Sequence, residues 1–353
     1  MERRSPDVAV NSPAAPTSPA VPLSYVLPLK WTDDRELPEL TRYLRWLSTV
    51  AEVIVVDGSD ESLFGRHHAD WNGITHVRPA PWAHCLNGKV AGVLTGVSVA
   101  RREKVVVADD DVRYDPTGLA RVGRLLDTHD LIVPENYFDP APWHARWDMS
   151  RSLINRAVFG GDYPGTLAFR KSTFHSAGGY DGDVLFENLE LMRTLTAVGA
   201  RARRCPDLAV RRLPPTTAKF VSQRVRQAYD STAQPGRLVV ELSALPAVIA
   251  LAAARGPRQA LAVATAATMA VAVAGRLRRG GDVFPASTPL LAPLWAAERA
   301  VCSWIALARY VRGGVRYGSG VIRISAHSPS ELRRRQAGRQ RTGSACVSHR
   351  STA

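Results

Sequence analysis

The 353-residue sequence is poor in several things that would define a simpler protein. Only four cysteines are present, Cys85, Cys205, Cys302 and Cys346, and no two are close in sequence. That excludes a disulfide-built fold, and no His/Cys group has zinc spacing. Free thiols in a reducing compartment are expected. His67-His68 reads as a solvated loop pair. No internal repeat is visible. Acidic residues are scarce against basic ones, 32 to 46, for a net charge of +14. Such an excess calls for an anionic partner: a nucleic acid, a membrane surface or a phosphorylated substrate. No aromatic-basic platform, zinc pattern or helix-turn-helix pattern accompanies it, so nucleic acid is not the expected partner.

Both ends of the chain lack apolar periodicity. Residues 1–21 are rich in Pro, Ser and Ala and carry no signal-peptide core, so a disordered tail is expected. Residues 325–353 are dominated by Arg, Ser and Gln and read as a basic disordered tail. Between them, residues 22–235 alternate strand and helix signals. Apolar, β-branched runs at Leu23–Leu29, Glu52–Asp60, Ile74–Pro79, Glu103–Asp111 and Asp130–Phe138 alternate with helical patterns at Glu36–Val50, Leu86–Ala100 and Pro116–Asp127. The order predicts an α/β fold with a mostly parallel sheet, whose ligands bind beyond the carboxyl ends of the strands. Asp57 and the turn Asp109-Asp110-Asp111 both follow strand ends and can reach one crevice.

Residues 236–324 differ again. Leu238–Ala254 and Ala260–Gly275 are short, nearly uncharged apolar stretches, fit to cross a bilayer as a hairpin or to lie in its interface. Phe284–Val311 is broken by Glu298, Arg299 and Arg309 and reads as an interfacial amphipathic helix, with Trp295, Trp304 and Tyr310 at headgroup depth. Arg224, Arg226 and Arg237 precede the hairpin and Arg276, Arg278 and Arg279 follow it, against Arg255 and Arg258 in its turn. This asymmetry predicts a cell-membrane location with the α/β domain facing the cytoplasm.

The acidic turn carries the chemistry. Side chains two apart at a strand end point the same way, so Asp109 and Asp111 can share a ligand while Asp110 faces elsewhere. Two carboxylates at that spacing suit Mg²⁺ or Mn²⁺ bridged to phosphate oxygens.

The surrounding sequence, "NGKVAGVLTGVSVARREKVVVADDDVRYDP" (Asn87–Pro116), resembles the nucleotide-sugar-binding half of family 2 glycosyltransferases. It is closest to the branch around ceramide glucosyltransferase and bacterial hopanoid glycosyltransferases. Gly88-Lys89 resembles the family's helix-opening Gly-Lys, and the acidic turn its DxD motif. "VVDGSD" resembles the upstream "VVDDGS" turn, and "GTLAFRKSTFHSAGGYDG" (Gly165–Gly182) the acceptor-side segment. "SQRVRQAYD" is similar to QxxRW, with Gln227 in place of the Trp, and Gly313–Ile324 to a post-membrane segment of the hopanoid branch.

The resemblance implies a GT-A type nucleotide-sugar-binding domain and an inverting, metal-dependent transfer from a nucleotide-sugar donor to a lipid or cell-envelope acceptor. It places Asp57, Lys89, Asp109, Gln223 and Arg226 at the donor, and Asp109 and Asp111 at the metal. In "FENLELMRTL", Asn188 stands where the family has its catalytic Asp, and an amide cannot accept the proton. Glu187 is therefore expected as the base, with Glu190, one turn on, as the second candidate. Asn188 also leaves open a catalytically silent, nucleotide-sugar-binding membrane scaffold.

Overall fold

The structure is a computed structural model, and it describes residues 21–318 and 320–348. The expected N-terminal tail, save Val21, and the last five residues lie outside the described residues.

Eight strands form one sheet: β1 (Leu23–Leu29), β2 (Glu52–Asp57), β3 (Thr75–Val77), β4 (Lys104–Ala108), β5 (Val112–Arg113), β6 (Leu131–Phe138), β7 (Thr166–Arg170) and β8 (Ala202–Arg212). Their order is β3-β2-β1-β4-β7-β6-β8-β5. Four pairings are parallel (β1/β2, β1/β4, β2/β3, β6/β8) and three antiparallel (β4/β7, β6/β7, β5/β8), so the sheet is mixed, with its N-terminal half parallel. All seven residues of β1 are buried, as expected of a strand covered on both faces.

Helices α1 (Leu37–Ser48), α2 (Glu61–Asp70), α3 (Gly88–Val99) and α4 (Pro116–Leu125) connect the first strands, and α5 (Trp143–Phe159), α6 (Lys171–Ala177) and α7 (Glu187–Ala197) the later ones. Apolar cores fill both faces, one built on Leu40, Leu44 and Tyr25, the other on Val93, Val97 and Phe169. Each such residue contributes roughly 1.5–3 kcal/mol by burial. Two glycines set the depth of α3. A Cβ on Gly96 would come within 2.3 Å of Val26 Cγ1, and one on Gly92 within 2.7 Å of Pro28 Cβ. Only glycine lets α3 lie this close to β1. The helix start is fixed by Asn87, whose Oδ1 accepts from Lys89 N at 3.1 Å. Lys89 is thereby aimed at the end of β4.

Short helices α8 (Thr217–Ser222) and α9 (Arg224–Tyr229) lead into α10 (Pro235–Arg255), α11 (Pro257–Leu277) and α12 (Ala292–Val311). Three helical segments, α10, α11 and Thr288–Val311, are long and apolar enough to cross a membrane. At 1.5 Å per residue, 21 residues extend about 32 Å, close to a hydrocarbon core of about 30 Å. Only 6% and 17% of the apolar stretches of α10 and α11 are buried by protein, against 39% of the third. The third segment is the most covered of the three, and its far end returns to the sheet domain, where Tyr310 packs 6.1 Å from Tyr229. Glu298 and Arg299 turn toward α5, α9 and α10, and Trp295, expected at headgroup depth, is buried there with them. Trp304 and Tyr310 are the partly exposed aromatics.

After α12 the chain returns to the sheet domain. A hairpin of β9 (Val315–Tyr317) and β10 (Gly320–Ile322) is followed by backbone bonds from Leu185 N to Ile324 O and from Phe186 N to Ser325 O. The expected disordered tail is instead helix α13 (Pro329–Ser348) over most of its length. Two of its arginines have partners: Arg335 pairs with Asp181 at 3.0 Å, and Arg339 donates to Ala177 O at 2.7 Å. Leu332, on the same helix, is buried.

Candidate active site

The three acidic residues leave β4 in a tight turn. Asp109 N donates to Gly165 O, and Val112 N returns to Asp109 O. Asp109 and Asp111 converge as the spacing predicts. Arg212, the last residue of β8, spans them, with Nε 2.8 Å from Asp111 Oδ1 and Nη2 3.1 Å from Asp109 Oδ2. Asp110 turns to the other side, where Trp31 Nε1 donates to its Oδ2 at 2.6 Å. Gly165 keeps the space open: a Cβ there would sit 2.6 Å from Asp109 Oδ2 and 2.8 Å from Arg212 Cζ.

Lys89 closes the other flank. Its Nζ lies 2.5 Å from Asp109 Oδ1, 2.7 Å from Glu187 Oε1 and 3.4 Å from Asn188 Oδ1. Burial alone would raise the Asp109 pKa, but Lys89 and Arg212 outweigh it and hold the carboxyl below its ordinary value. Asp111 goes the other way. Burial, and the neighbouring Asp109 charge, push it up despite Arg212. Burial would lower Lys89, and Asp109 and Glu187 reverse that, keeping the amine firmly protonated.

Two cavities meet at this turn. The larger, about 490 Å³, is lined by Trp31, Asp33, Arg35 and Leu213 among others. The smaller, about 280 Å³, is lined by Lys89, Glu187, Gln223, Arg226, Asp230 and Tyr317 among others. They share Asp110, Asp111, Pro215 and Lys219, so they form two lobes of one cleft.

The cleft unites most of the residues the sequence singled out. Lys89, Asp109, Asp111, Glu187, Gln223 and Arg226 all line it. Arg226 makes no ion pair among the described residues and lies with Cζ 5.1 Å from the Tyr317 ring. Asn188 is spent on structure, its amide donating to Pro164 O at 2.9 Å.

Two expected site residues are elsewhere. Asp57 is fully buried and lines neither lobe. Its carboxylate is consumed by Ser59 N at 2.8 Å, His67 Nδ1 at 2.6 Å and His76 Nε2 at 3.2 Å, and these bonds hold its pKa low although burial alone would raise it. It reaches the cleft only indirectly: Ser59 Oγ accepts from Trp31 N, and the His67 ring packs edge-on to Trp31. His67 is thus a buried bracing residue on α2, not half of a solvated pair; His68 beside it is exposed. Asp57, His67 and His76 bring ligand atoms within 4.8 Å of one another. Hydrogen bonds to Asp34 at 3.1 Å and His68 at 3.3 Å complete the ring nitrogens, so this cluster is accounted for as a hydrogen-bond network. Glu190 is also withdrawn. It is fully buried, and both oxygens bind His327, at 2.7 Å to its backbone N and 2.9 Å to Nδ1. It clasps the returning C-terminal segment and offers no base to the cleft.

Sequence reasoning missed Arg212, Lys219, Trp31, Tyr317 and Asp230. Arg212 ends a charged strand with weak strand signal. Asp230 lies four residues after Arg226, and burial pushes its carboxyl up to about 7 even with Arg226 nearby.

The residues fit a divalent cation. Asp109 and Asp111 offer hard oxygen donors, and one guanidinium already touches both, so they converge on a single positive charge. Asp109 and Asp111 would hold the ion, with Arg212 shifting aside.

No protein-family model matches the chain, and no curated protein does. Similar solved structures include mannosyltransferase PcManGT from Pyrobaculum calidifontis in complex with GDP-Man and Mn²⁺, 19% identical over 81% of this chain and 87% of that one, with a TM-score of 0.47. Mannosyl-3-phosphoglycerate synthase from Rubrobacter xylanophilus is 14% identical over 62% and 76%, with a TM-score of 0.41. Glucosyl-3-phosphoglycerate synthase from Mycobacterium tuberculosis, in complex with phosphoglyceric acid, is 17% identical over 56% and 74%, with a TM-score of 0.38.

Proposed function

We propose that this chain is a membrane-associated, metal-dependent inverting glycosyltransferase. It moves a sugar from a nucleotide-sugar, a UDP-sugar by the sequence resemblance, to a hydroxyl of a lipid or other membrane-linked acceptor. Its sheet domain faces the cytoplasm. The observation that carries this reading is the two-lobed cleft whose lobes meet at two convergent carboxylates, with Lys219 and Arg226, unpaired among the described residues, in its wall.

The larger lobe takes the nucleoside, against Trp31. The diphosphate lies at the junction, where Lys219 and Arg226 provide positive charge in both lobes' shared wall and in the smaller lobe. A divalent cation on Asp109 and Asp111, when bound, supplies Lewis-acid neutralisation of the leaving diphosphate. Glu187 accepts the acceptor hydroxyl proton at its carboxylate, and Lys89 fixes that carboxylate toward the turn. Asp230 is the second carboxyl within the smaller lobe. The basic flanks of the apolar helices hold the cleft near anionic headgroups, at about 1 kcal/mol per residue close to the surface.

The test is a panel of radiolabelled nucleotide sugars with Mn²⁺, lipid extract and the detergent-purified chain. Metal-dependent transfer, lost in Asp111→Ala and Glu187→Gln, supports the reading. Transfer unaffected by both substitutions would overturn it. The ion pair of Glu187 with Lys89 favours one alternative, a silent nucleotide-sugar-binding scaffold. Calorimetry showing UDP-sugar binding without turnover would select it.

A further inference from the structure

Away from the cleft, α5 and the three apolar helices enclose a second groove of about 300 Å³. Its mouth is apolar: Val158, Phe159 and Val240 line it and are 58%, 51% and 69% exposed. It therefore opens on the face where α10 and α11 are uncovered by protein. Its inner wall is different. Arg299 and Trp295 line it and are 2% and 6% exposed. Arg299 Nε, Nη1 and Nη2 and Trp295 Nε1 have no hydrogen-bond partner among the described residues. The guanidinium rests with Cζ 5.3 Å from the Trp295 ring.

The nearby carboxylates are committed or face away. Glu241 Oε1 accepts from Arg237 Nε at 2.9 Å, and Oε2 from Ser303 Oγ at 2.9 Å. Glu298 lies outside the groove lining, on the side of Arg224 at 3.5 Å, and its oxygens make no hydrogen bond among the described residues, to Arg299 or to any other group. The charged residues lining the groove are Arg237, Arg299 and Glu241, which leaves one net positive charge. Buried donors without acceptors are costly, and a buried guanidinium most of all. The shape that answers this wall is an oxygen-rich anion, which a guanidinium binds through paired N–H groups. The shape that answers the mouth is a hydrocarbon chain.

We propose that the groove binds one anionic membrane lipid, its phosphate against Arg299 and Trp295 and its chain along the apolar mouth. The depth is suitable. Arg237 and Glu241 occupy the first two turns of α10, next to the sheet domain, and Arg299 is level with them, since Glu241 also accepts from Ser303, one turn on from Arg299. A monoanionic head brings the groove to neutrality. The proposal rests on the membrane association proposed above and not on sugar transfer, so it survives if the enzyme reading fails.

The test is native mass spectrometry of the full chain in detergent micelles, titrated with phosphatidylglycerol or phosphatidylcholine. The expected result is at least tenfold tighter binding of phosphatidylglycerol. Arg299→Met should reduce it to the phosphatidylcholine level, while Arg255→Met, in the far turn of the hairpin, should leave it unchanged. Ala244→Phe fills the groove with Arg299 intact and should abolish the preference too. If Arg299→Met does not fold, Trp295→Phe, which removes the indole N–H while keeping an aromatic ring, takes its place and should weaken phosphatidylglycerol several-fold. Equal binding of the two lipids, or a preference surviving these variants, overturns the proposal. So does glycerol 3-phosphate competing as well as the lipid, since the site would then be for a free phosphate. Carbonate extraction that releases the chain from membranes would overturn the membrane association on which it rests, separately.

Discussion

Arg212 occupies the place where a cation is expected, and its removal gives a test that needs no substrate. In Arg212→Met, Asp111 loses its only side-chain partner among the described residues, and Asp109 keeps only Lys89. Hydrogen bonds to charged groups contribute about 1.5–3 kcal/mol each. The three side chains are 20–24% exposed, so solvent screens part of this. A net loss of about 2–3 kcal/mol follows. For a domain of roughly 200 residues that lowers Tm by about 5–10 °C in EDTA. A divalent cation at the same carboxylates restores the missing charge, and at a hundred times its Kd it returns about 2.7 kcal/mol. In the wild type the cation must displace Arg212 and gains less. Differential scanning fluorimetry in detergent, with EDTA or Mn²⁺, should therefore show a larger Mn²⁺-induced rise in Arg212→Met than in the wild type. An equal or smaller rise in the variant would refute the metal site.

Other perturbations separate the roles of the carboxyls. Glu187→Gln should lower turnover at least a hundredfold while nucleotide binding, read by calorimetry, persists. Glu190→Gln should act on stability instead. Its hydrogen bond raises the His327 pKa, so the stability it provides is complete below the unfolded His pKa near 6.5 and is lost as pH rises through the folded value; the wild-type advantage in urea denaturation should be larger at pH 6 than at pH 9. Asp230, raised from 3.8 to about 7, binds a proton in the fold where the unfolded chain does not, so stability falls as pH rises between about 4 and 7, by up to about 4 kcal/mol. Asp230→Asn should flatten that slope. Gly165→Ala should displace Asp109 and abolish the Mn²⁺-induced rise in Tm, because its Cβ intrudes to 2.6 Å.

What was legible in the sequence was local. β-branched runs located β1, β2, β4 and β6, and the two-residue spacing located the shared aim of Asp109 and Asp111. The helix start at Lys89 and the Gln223/Arg226 pair were also readable, because each is a short motif. What escaped were partners distant in sequence. Arg212 reaches Asp109 across 103 positions, and nothing near it marks it. Asp57 looked like a ligand because it ends a strand before Gly-Ser; His67 and His76, on other elements, take its carboxylate. The C-terminal arginines looked like a solvated tail, yet Arg335 and Arg339 bind the 177–181 turn, and Arg156 and Arg224 are buried among carbonyls and carboxylates. Part of the basic excess is therefore spent inside the fold and was never available to an outside partner.

The most direct measurement is release of nucleoside diphosphate from a UDP-sugar by the purified full chain, with and without Mn²⁺, beside Asp111→Ala. The cleft described here predicts Mn²⁺-dependent release, stimulated by lipid extract and lost in the variant. Release that ignores both Mn²⁺ and the loss of Asp111, or none from any nucleotide sugar, would contradict it.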